Sequence, residues 1–189
     1  PSIAESSLVF GNPDGTLPGA EVEAAAIADI LEDEAEIMIG EDATYDVLMD
    51  QGPDSRVIHL ATHAVLDGRR PERSHLVLSG GTRLSVVDAA LLDLNSTDLV
   101  VLSACESGVG AAGMEYATLA RAFAHAGANT IIATLWKIDD KATVEMMKHF
   151  YNGLSNDKGV YAALADAQRA MIGKVPVRDW AAFVPMGRP

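Results

Sequence analysis

Short apolar runs without polar alternation are the feature that most limits the fold of this chain. The clearest are RVIHLA at 56–61, LVVLS at 99–103 and TIIATLW at 130–136. A strand with one solvated face alternates apolar and polar residues, whereas a strand covered on both faces is apolar throughout. These runs therefore predict the central strands of a mainly parallel sheet with helices on both sides.

Helical patterns separate the apolar runs. An Ala- and Glu-rich segment at 18–40 predicts a long helix, with Val22, Ala26, Ile30 and Ile37 on its apolar face. Shorter helices are predicted at 43–49, 85–92, 114–126, from Asp139 or Asp140 onward, and 160–172. Further strands are predicted at 7–10, 75–78 and 180–184. This alternation predicts one α/β domain over residues 1–189.

The charge of the chain is unevenly distributed. The net charge is −13, and residues 1–55 hold 14 acidic residues but no lysine or arginine. Direct binding of nucleic acid is not expected, because phosphate contacts need a basic face. A solvated helix face is the favoured interpretation of the acidic segment, and a docking surface for a basic partner is the alternative.

Cys105 is the single cysteine, so no disulfide can form within the chain. A lone thiol is typical of a reducing compartment, and a cytoplasmic location is expected. Neither an apolar run long enough to cross a bilayer nor a secretory leader is present, so no membrane span is expected. The first residue is Pro1, which suggests a domain excised from a longer polypeptide.

Two residues with nucleophile chemistry follow predicted strands. His63 comes after the run at 56–61, and Cys105 comes after the run at 99–103. The carboxyl ends of parallel strands form the ligand-binding edge of such a sheet. A thiol attacks as its thiolate, and an adjacent imidazole can accept the thiol proton. The pair is a candidate catalytic dyad, although either residue alone is more often structural.

A metal site is the first alternative. His59, His63 and Asp67 are residues of the types that bind metal ions, with Asp67 as the third ligand. The intervening residues are predicted to be strand, which separates the two rings by about 13 Å. That distance is too long for one ion, so no metal is expected.

A dinucleotide site is the second alternative. Residues 108–113 are a literal G-x-G-x-x-G, and Asp139 follows 26 residues after the last glycine. The dinucleotide motif requires its first glycine at the strand end, so that pyrophosphate meets the helix N-terminus. Residues 104–107 intervene here, which makes this the weaker interpretation. No cofactor is expected.

Five segments together resemble a known family. They are HLATHAVLDG, LVLSGG, LVVLSACESGVG, ARAFAHAGANTIIATLWKIDD and FYNGL, in this order along the chain. In combination they are similar to the CHAT domain, a caspase-like family related to separases, and the likeness extends from GNPDGTLPGAEVEAAAI to WAAFV. The resemblance implies a caspase-hemoglobinase fold, a three-layer α/β/α sandwich, and a cysteine endopeptidase.

The resemblance also implies roles for single residues. His63 of the ATH motif would be the general base or ion-pair partner, and Cys105 of the SAC motif the nucleophile. The backbone N–H groups of Ala64 and Cys105 would form the oxyanion hole, although many relatives have glycine where this chain has Ala64. Glu106, next to Cys105, is a further candidate substrate-binding residue.

The segment WKIDD at 136–140 carries the predicted specificity. Separases have a similar segment whose acidic residue meets a basic side chain before the cleaved bond (P1). Asp140 occupies the matching position, with Asp139 as the second choice, and capping of the following helix is the alternative role for either. The expected partners are a protein substrate and a regulatory helical-repeat domain or partner protein. A catalytically silent scaffold is the alternative function.

Overall fold

A mainly parallel sheet forms the centre of the molecule. The structure is a computed structural model that describes residues 6–106 and 114–188, with residues 105, 106 and 114–116 described by their backbone alone. The strands are β1 (Ser7–Gly11), β2 (Ala35–Ile39), β3 (Val57–Val65), β4 (His75–Val77), β5 (Arg83–Ser85), β6 (Leu99–Glu106), β7 (Thr130–Thr134) and β8 (Phe183–Gly187). The main sheet has the order β2-β1-β3-β6-β7-β8, in which only β8 runs antiparallel to its neighbour.

Helices cover both faces of the sheet. They are α1 (Pro18–Leu31), α2 (Tyr45–Gln51), α3 (Val86–Leu91), α4 (Met114–His125), α5 (Asp140–Ser155), α6 (Val160–Met171) and α7 (Val177–Trp180). One core joins the sheet to α2, α3 and α4, and a second joins it to α1, α5 and α6. The predicted three-layer α/β/α sandwich with a mainly parallel sheet is confirmed.

β6 shows why the central strands have no polar alternation. Val100 and Leu102 pack into the first core, while Leu99 and Val101 pack into the second. All four side chains are fully buried. Successive side chains of a strand point to opposite faces, so a strand between two helical layers needs apolar residues at every position.

Two central strands are longer than their apolar runs. His63 and Cys105 were expected after their strands, but both lie inside them, in β3 and β6. β3 continues because β4 pairs with its end, joining Ala64 to Leu76 and Val65 to His75. The predicted strand at 75–78 is confirmed as β4, which folds back antiparallel to β3 and has β5 as its second partner.

The prediction of a helix over 18–40 is wrong in its second half. α1 ends at Leu31, a 3-10 turn follows at Glu32–Glu34, and Glu32 has φ 50°, which does not continue a helix. Ile37, assigned to the helix, lies in β2, opposite Val9 of β1. The edge position of β2 explains the error, because its residues are only partly buried and lack a clear strand pattern.

The predicted apolar face of α1 is also wrong. Val22 is 57% exposed, whereas Glu23, Ala24, Ile27 and Leu31 are buried. The helix is therefore rotated by about one residue from the prediction, which turns an acidic side chain inward.

The remaining elements agree with the sequence within a few residues. α3, predicted at 85–92, begins with a capping box of Ser85 and Asp88. The last strand is shifted from 180–184 to β8, because α7 occupies Val177–Trp180. Within the described ranges, no helix combines the length and apolar character needed to cross a membrane.

Gly127 connects α4 to β7 and permits a stability test. Its φ is +114°, and a Cβ there would lie 2.7 Å from Asn95 Oδ1 and 2.9 Å from the Asn95 nitrogen. Gly173 also has a positive φ, +79°, but no atom within 4 Å of such a Cβ. Gly173→Ala should cost about 1 kcal/mol of unfolding free energy from backbone strain, and Gly127→Ala about 1–3 kcal/mol more from crowding. Urea denaturation measures both, and equal losses would contradict the crowding at Gly127.

Candidate active site

The backbone brings the two residues of the candidate dyad together. β3 and β6 are parallel neighbours, and their register pairs His63 with Cys105. Adjacent strands lie about 4.8 Å apart, so the two residues are immediate neighbours across the sheet. Both lie near the carboxyl ends of their strands, at the edge where α/β sheets bind ligands.

The His63 ring is held by the turn between β1 and α1. Its Nε2 lies 2.8 Å from Thr16 Oγ1 and 3.8 Å from Asp14 Oδ2. The Thr16 hydroxyl donates its one hydrogen to Asp14 Oδ1, at 2.8 Å, so its oxygen accepts from His63. This arrangement assigns a hydrogen to Nε2 and leaves the lone pair of neutral His63 on Nδ1.

The opposite ring nitrogen of His63 is buried. Nδ1 has no hydrogen-bond partner among the described residues, while the whole side chain is 24% exposed. Unpaired buried nitrogens are uncommon in folded proteins. The ring is thus anchored on one side and has an open acceptor on the other.

The turn that carries Thr16 is itself fixed by hydrogen bonds. Asn12 has φ 50°, is buried, and accepts from the Leu17 backbone at 2.6 Å through Oδ1. The Thr16 backbone N–H donates to Asp14 Oδ1 at 3.1 Å. Asparagine tolerates this left-handed backbone and often closes turns with its side chain. The sequence N-P-D-G-T therefore forms a rigid support for the histidine.

Asp14 remains ionised next to His63. Burial raises the pKa of its carboxyl. The hydrogen bonds from the Thr16 side chain and backbone, together with the nearby His63, lower the pKa by more than burial raises it, so that it lies below its ordinary value of 3.8. A carboxyl group whose pKa is lower in the folded than in the unfolded chain stabilises the fold at any pH above its unfolded-state pKa. This stabilisation is lost as the pH falls through the folded-state pKa. Near neutral pH the aspartate is an anion beside the imidazole.

A narrow pocket opens beside the candidate dyad, between α1 and α5. Its walls include Gly19, Glu23, Ser103, Trp136 and Asp140. Ser103 precedes Cys105 by two residues on β6. The cavity is about 20 Å³, enough for roughly one water molecule.

The two aspartates of WKIDD have different environments. Asp139 is the N-cap of α5, and its Oδ1 accepts from the backbones of Lys141 at 3.0 Å and Ala142 at 3.1 Å. Asp140 lines the pocket and packs against Gly19, where a Cβ would lie 2.5 Å from Asp140 Oδ2. One aspartate thus caps the helix and the other faces the pocket.

The backbone of Ala64, Cys105 and Glu106 is placed by the pairing of β3 with β6. Ala64 pairs with Glu106 of β6 and Leu76 of β4, and it is not among the non-glycine residues with positive φ. Alanine therefore fits here without backbone strain. The oxyanion role of Ala64 and Cys105, and the substrate role of Glu106, stay predictions.

His59 does not share a site with His63. It is fully buried and contacts Glu23 and Tyr151 on the α1 and α5 side. In residues 6–106 and 114–188, no three His, Cys, Asp or Glu side chains are grouped as a metal ion would need. The glycine motif at 108–113 lies outside the described residues, and Asp139 serves as the helix cap.

Sequence reasoning missed three residues around the site, namely Asp14, Thr16 and Glu23. The turn signal N-P-D-G was visible, but nothing local indicates that its side chains reach His63, 47 residues away. A signal for Glu23 did exist. The spacing of Ala24, Ile27 and Leu31 defines a helical face that also includes Glu23.

Comparison with a family model shows to which family the chain belongs. The model of the CHAT domain matches residues 1–188. The chain belongs to the CHAT domain family. Tetratricopeptide repeat protein 28 of Mus musculus is 25% identical to this CHAT domain over 98% of the chain, and the chain spans 10% of that protein.

Solved structures support the same fold. The separase of the Saccharomyces cerevisiae separase–securin complex matches 98% of the CHAT domain with a TM-score of 0.67 and 17% identity, over 12% of the separase chain. The Arg-specific cysteine proteinase gingipain R matches 97% of it with a TM-score of 0.66 and 11% identity, over 46% of that chain. The CHAT domain thus has the caspase-like fold that its sequence motifs implied.

The hydrogen bond from His63 to Thr16 predicts one ring tautomer. Long-range ¹H–¹⁵N spectra of neutral His63 should show the hydrogen on Nε2, because Thr16 Oγ1 accepts there. Thr16→Val keeps the side-chain shape but removes the acceptor, so it should give a mixture of tautomers. The exposed Thr82→Val is the control and should leave the His63 signals unchanged. An Nδ1–H tautomer in the unmodified chain would contradict the assigned hydrogen-bond direction.

Proposed function

We propose that this CHAT domain is a cysteine endopeptidase in which His63 and Cys105 form the catalytic dyad. The observation that carries the proposal is the register of β3 and β6, which pairs the two residues at the carboxyl edge of the sheet. The open, buried Nδ1 of His63 supports it, because a general base needs a free lone pair.

The proposed reaction follows from these groups. His63 Nδ1 accepts the Cys105 thiol proton, and the thiolate attacks the carbonyl carbon of the scissile peptide. The tetrahedral intermediate collapses as His63 donates that proton to the leaving amine, which leaves a thioester on Cys105. His63 then takes a proton from water, the resulting hydroxide releases the carboxylic acid product, and the proton returns to the thiolate.

Thr16 and Asp14 are positioning residues in this scheme. The Thr16 oxygen fixes the ring so that Nδ1 stays open, and the Asp14 carboxylate, 3.8 Å from Nε2, stabilises the imidazolium that forms. Neither residue contacts the reacting carbonyl in the proposed reaction.

A basic P1 residue is the proposed substrate feature. Asp140 lines the pocket beside the dyad and is not used as the cap of α5. A partly shielded carboxylate binds a guanidinium through charge-assisted hydrogen bonds. The similarity in fold to an Arg-specific cysteine proteinase supports this preference.

Control by a helical-repeat domain or a partner protein is part of the proposal. The curated relative is named for its tetratricopeptide repeats, and the chain spans only 10% of it. The similar separase structure is a complex with securin. A cytoplasmic location, expected from the lone cysteine, belongs to the same proposal.

The dyad is tested by single substitutions. Cys105→Ala and His63→Ala should each abolish peptide hydrolysis, because one removes the nucleophile and the other its base. Neither should lower the melting temperature much, since both lie near the carboxyl ends of their strands. His125→Ala, at an exposed position of α4, is the matched histidine control and should keep full activity.

The outcomes separate the two candidate functions. Hydrolysis that survives in Cys105→Ala would refute the mechanism. The scaffold function predicts two other results. Partner proteins would bind equally well after either substitution, and the assembled complex would show no cleavage that depends on Cys105.

The specificity of the pocket is tested with the adjacent aspartates. Asp140→Asn should reduce cleavage after arginine by about 10- to 100-fold relative to cleavage after glutamine, because a charged hydrogen bond becomes neutral. Asp139→Asn should change this ratio by less than about twofold, because asparagine also caps helices. Peptides that differ only at P1 measure the ratio. An unchanged ratio in Asp140→Asn would exclude Asp140 from recognition.

A further inference from the structure

The edge strand β2 has a free side. It pairs with β1 on one side, and within residues 6–106 and 114–188 no strand pairs with the other. A strand edge of this kind offers a row of backbone N–H and C=O groups to a further strand. Ile37, Met38 and Ile39 pack against the two cores but stay partly exposed, so an added strand would also bury apolar surface.

The opposite edge of the sheet, β8, is protected against strand addition. Pro185 has no N–H to donate, and the Gly187 carbonyl accepts from the Tyr161 hydroxyl at 3.1 Å. Natural edge strands are commonly blunted by proline, lysine or a covering element. β2 has the sequence AEIMI, which contains neither proline nor lysine. The free side of β2 is therefore suited to pairing with another strand.

An acidic cleft of about 600 Å³ lies beside the start of β2, at the amino edge of the sheet. Five exposed carboxylates line it, namely Asp33, Glu34, Glu36, Asp50 and Asp54. In the part of the chain that the structure describes, none of the five forms a salt bridge. The carboxyl ends of α1 and α2 adjoin the cleft, and the partial negative charge of helix ends adds to its field. The cleft therefore favours a positively charged ligand.

Gln51 is an independent indication of a hydrogen-bond donor in that ligand. It lines the same cleft, and its Oε1 is buried with no hydrogen-bond partner among the described residues. Buried polar atoms are normally hydrogen-bonded, so this acceptor is free for a donor. The described carboxylates are not grouped as one metal ion would need. Donors spaced along a chain, such as lysine and arginine side chains, fit this arrangement better than a single ion.

We propose that β2 binds an extended basic segment of a partner protein, which adds to the sheet as a further strand. Backbone hydrogen bonds would hold the segment, and its side chains would make the binding selective. Successive side chains of a strand point to opposite faces, so the segment alternates basic and apolar residues. Basic side chains lie on the face where Glu36 borders the cleft. Apolar side chains lie on the face where Ile37 and Ile39 pack against the second core.

The charge of the whole chain agrees with this occupant. The net charge is −13, and residues 1–55 hold no lysine or arginine, so the chain attracts a basic segment and repels a second copy of itself. The cleft lies at the amino edge of the sheet, whereas His63 and Cys105 lie near the carboxyl ends of their strands. The proposal therefore does not depend on the endopeptidase.

A short peptide of alternating lysine and valine tests strand addition on the unmodified chain. Fluorescence anisotropy gives its affinity, and NMR should show slower hydrogen exchange of the amides of Ala35–Ile39 when it binds. Two N-methylated forms, one methylated on the lysines and one on the valines, keep the charge of the peptide. Only alternate N–H groups of an added strand face its neighbour, so one form should bind about tenfold more weakly or worse and the other like the parent.

The role of the cleft is tested by two double variants of equal net charge. Glu36→Gln combined with Asp50→Asn removes two carboxylates from the cleft. Asp29→Asn combined with Glu41→Gln removes two from exposed positions outside it. The first variant should bind the peptide about threefold or more weakly than the second, because exposed charge pairs contribute modestly and act at short range.

Four results would overturn the proposal. Failure of the peptide to bind would exclude the site, and equal binding of the two N-methylated forms would show that charge alone holds the peptide. Equal affinity of the two double variants would place the peptide elsewhere on the acidic surface. Protection of Ala35–Ile39 that rises with the concentration of the protein alone would assign the edge to a second copy. If a double variant does not fold, the N-methylated peptides decide, because they are measured on the unmodified chain.

Discussion

The register between β3 and β6 is the constraint on which the candidate active site depends. It runs without interruption from Val57 opposite Leu99 to Ala64 opposite Glu106. At its start, Arg56 binds Asp98 through Nε at 2.8 Å and Nη2 at 2.6 Å, which joins the two strands before they enter the core. A slip by one residue would turn every side chain of a strand to the other face. Because both faces are packed with apolar side chains, the cores on either side resist such a slip and hold His63 next to Cys105.

The segment from β1 to α1 supplies the polar surroundings of this pair. Residues 1–55 contain 14 acidic residues and no lysine or arginine, and most of them have the solvated positions that such a composition favours. Two of these acidic residues are not on the solvated surface of a helix. Asp14 lies beside the His63 ring, and Glu23 is buried at the pocket. With Asp140 across the cavity, the site combines an oriented histidine with a pocket that two acidic residues line.

The sequence predicts the central layer well because the signal is local. Residues of β6 must be apolar at consecutive positions. The predicted placing of His63 and Cys105 at the carboxyl ends of two strands follows from such apolar runs. The edge strand β2 was missed because its residues are only partly buried and their pattern is mixed. Thr16 was missed for a different reason, since its contact with His63 spans 47 residues and depends on tertiary packing alone. Glu23 was missed because the apolar face of α1 was set one residue away from Ala24 and Ile27.

The central claim is that His63 and Cys105 act as one unit, and the rate of thiol alkylation tests it most directly. An ordinary cysteine titrates near pH ~8.5, so an isolated thiol reacts slowly with iodoacetamide at pH 6. If His63 holds Cys105 as an ion pair, alkylation in the unmodified chain should persist at pH 6 and should slow by about tenfold or more in His63→Ala. Mass spectrometry of the single cysteine gives both rates. Equal and slow alkylation of the two proteins at pH 6 would contradict the account.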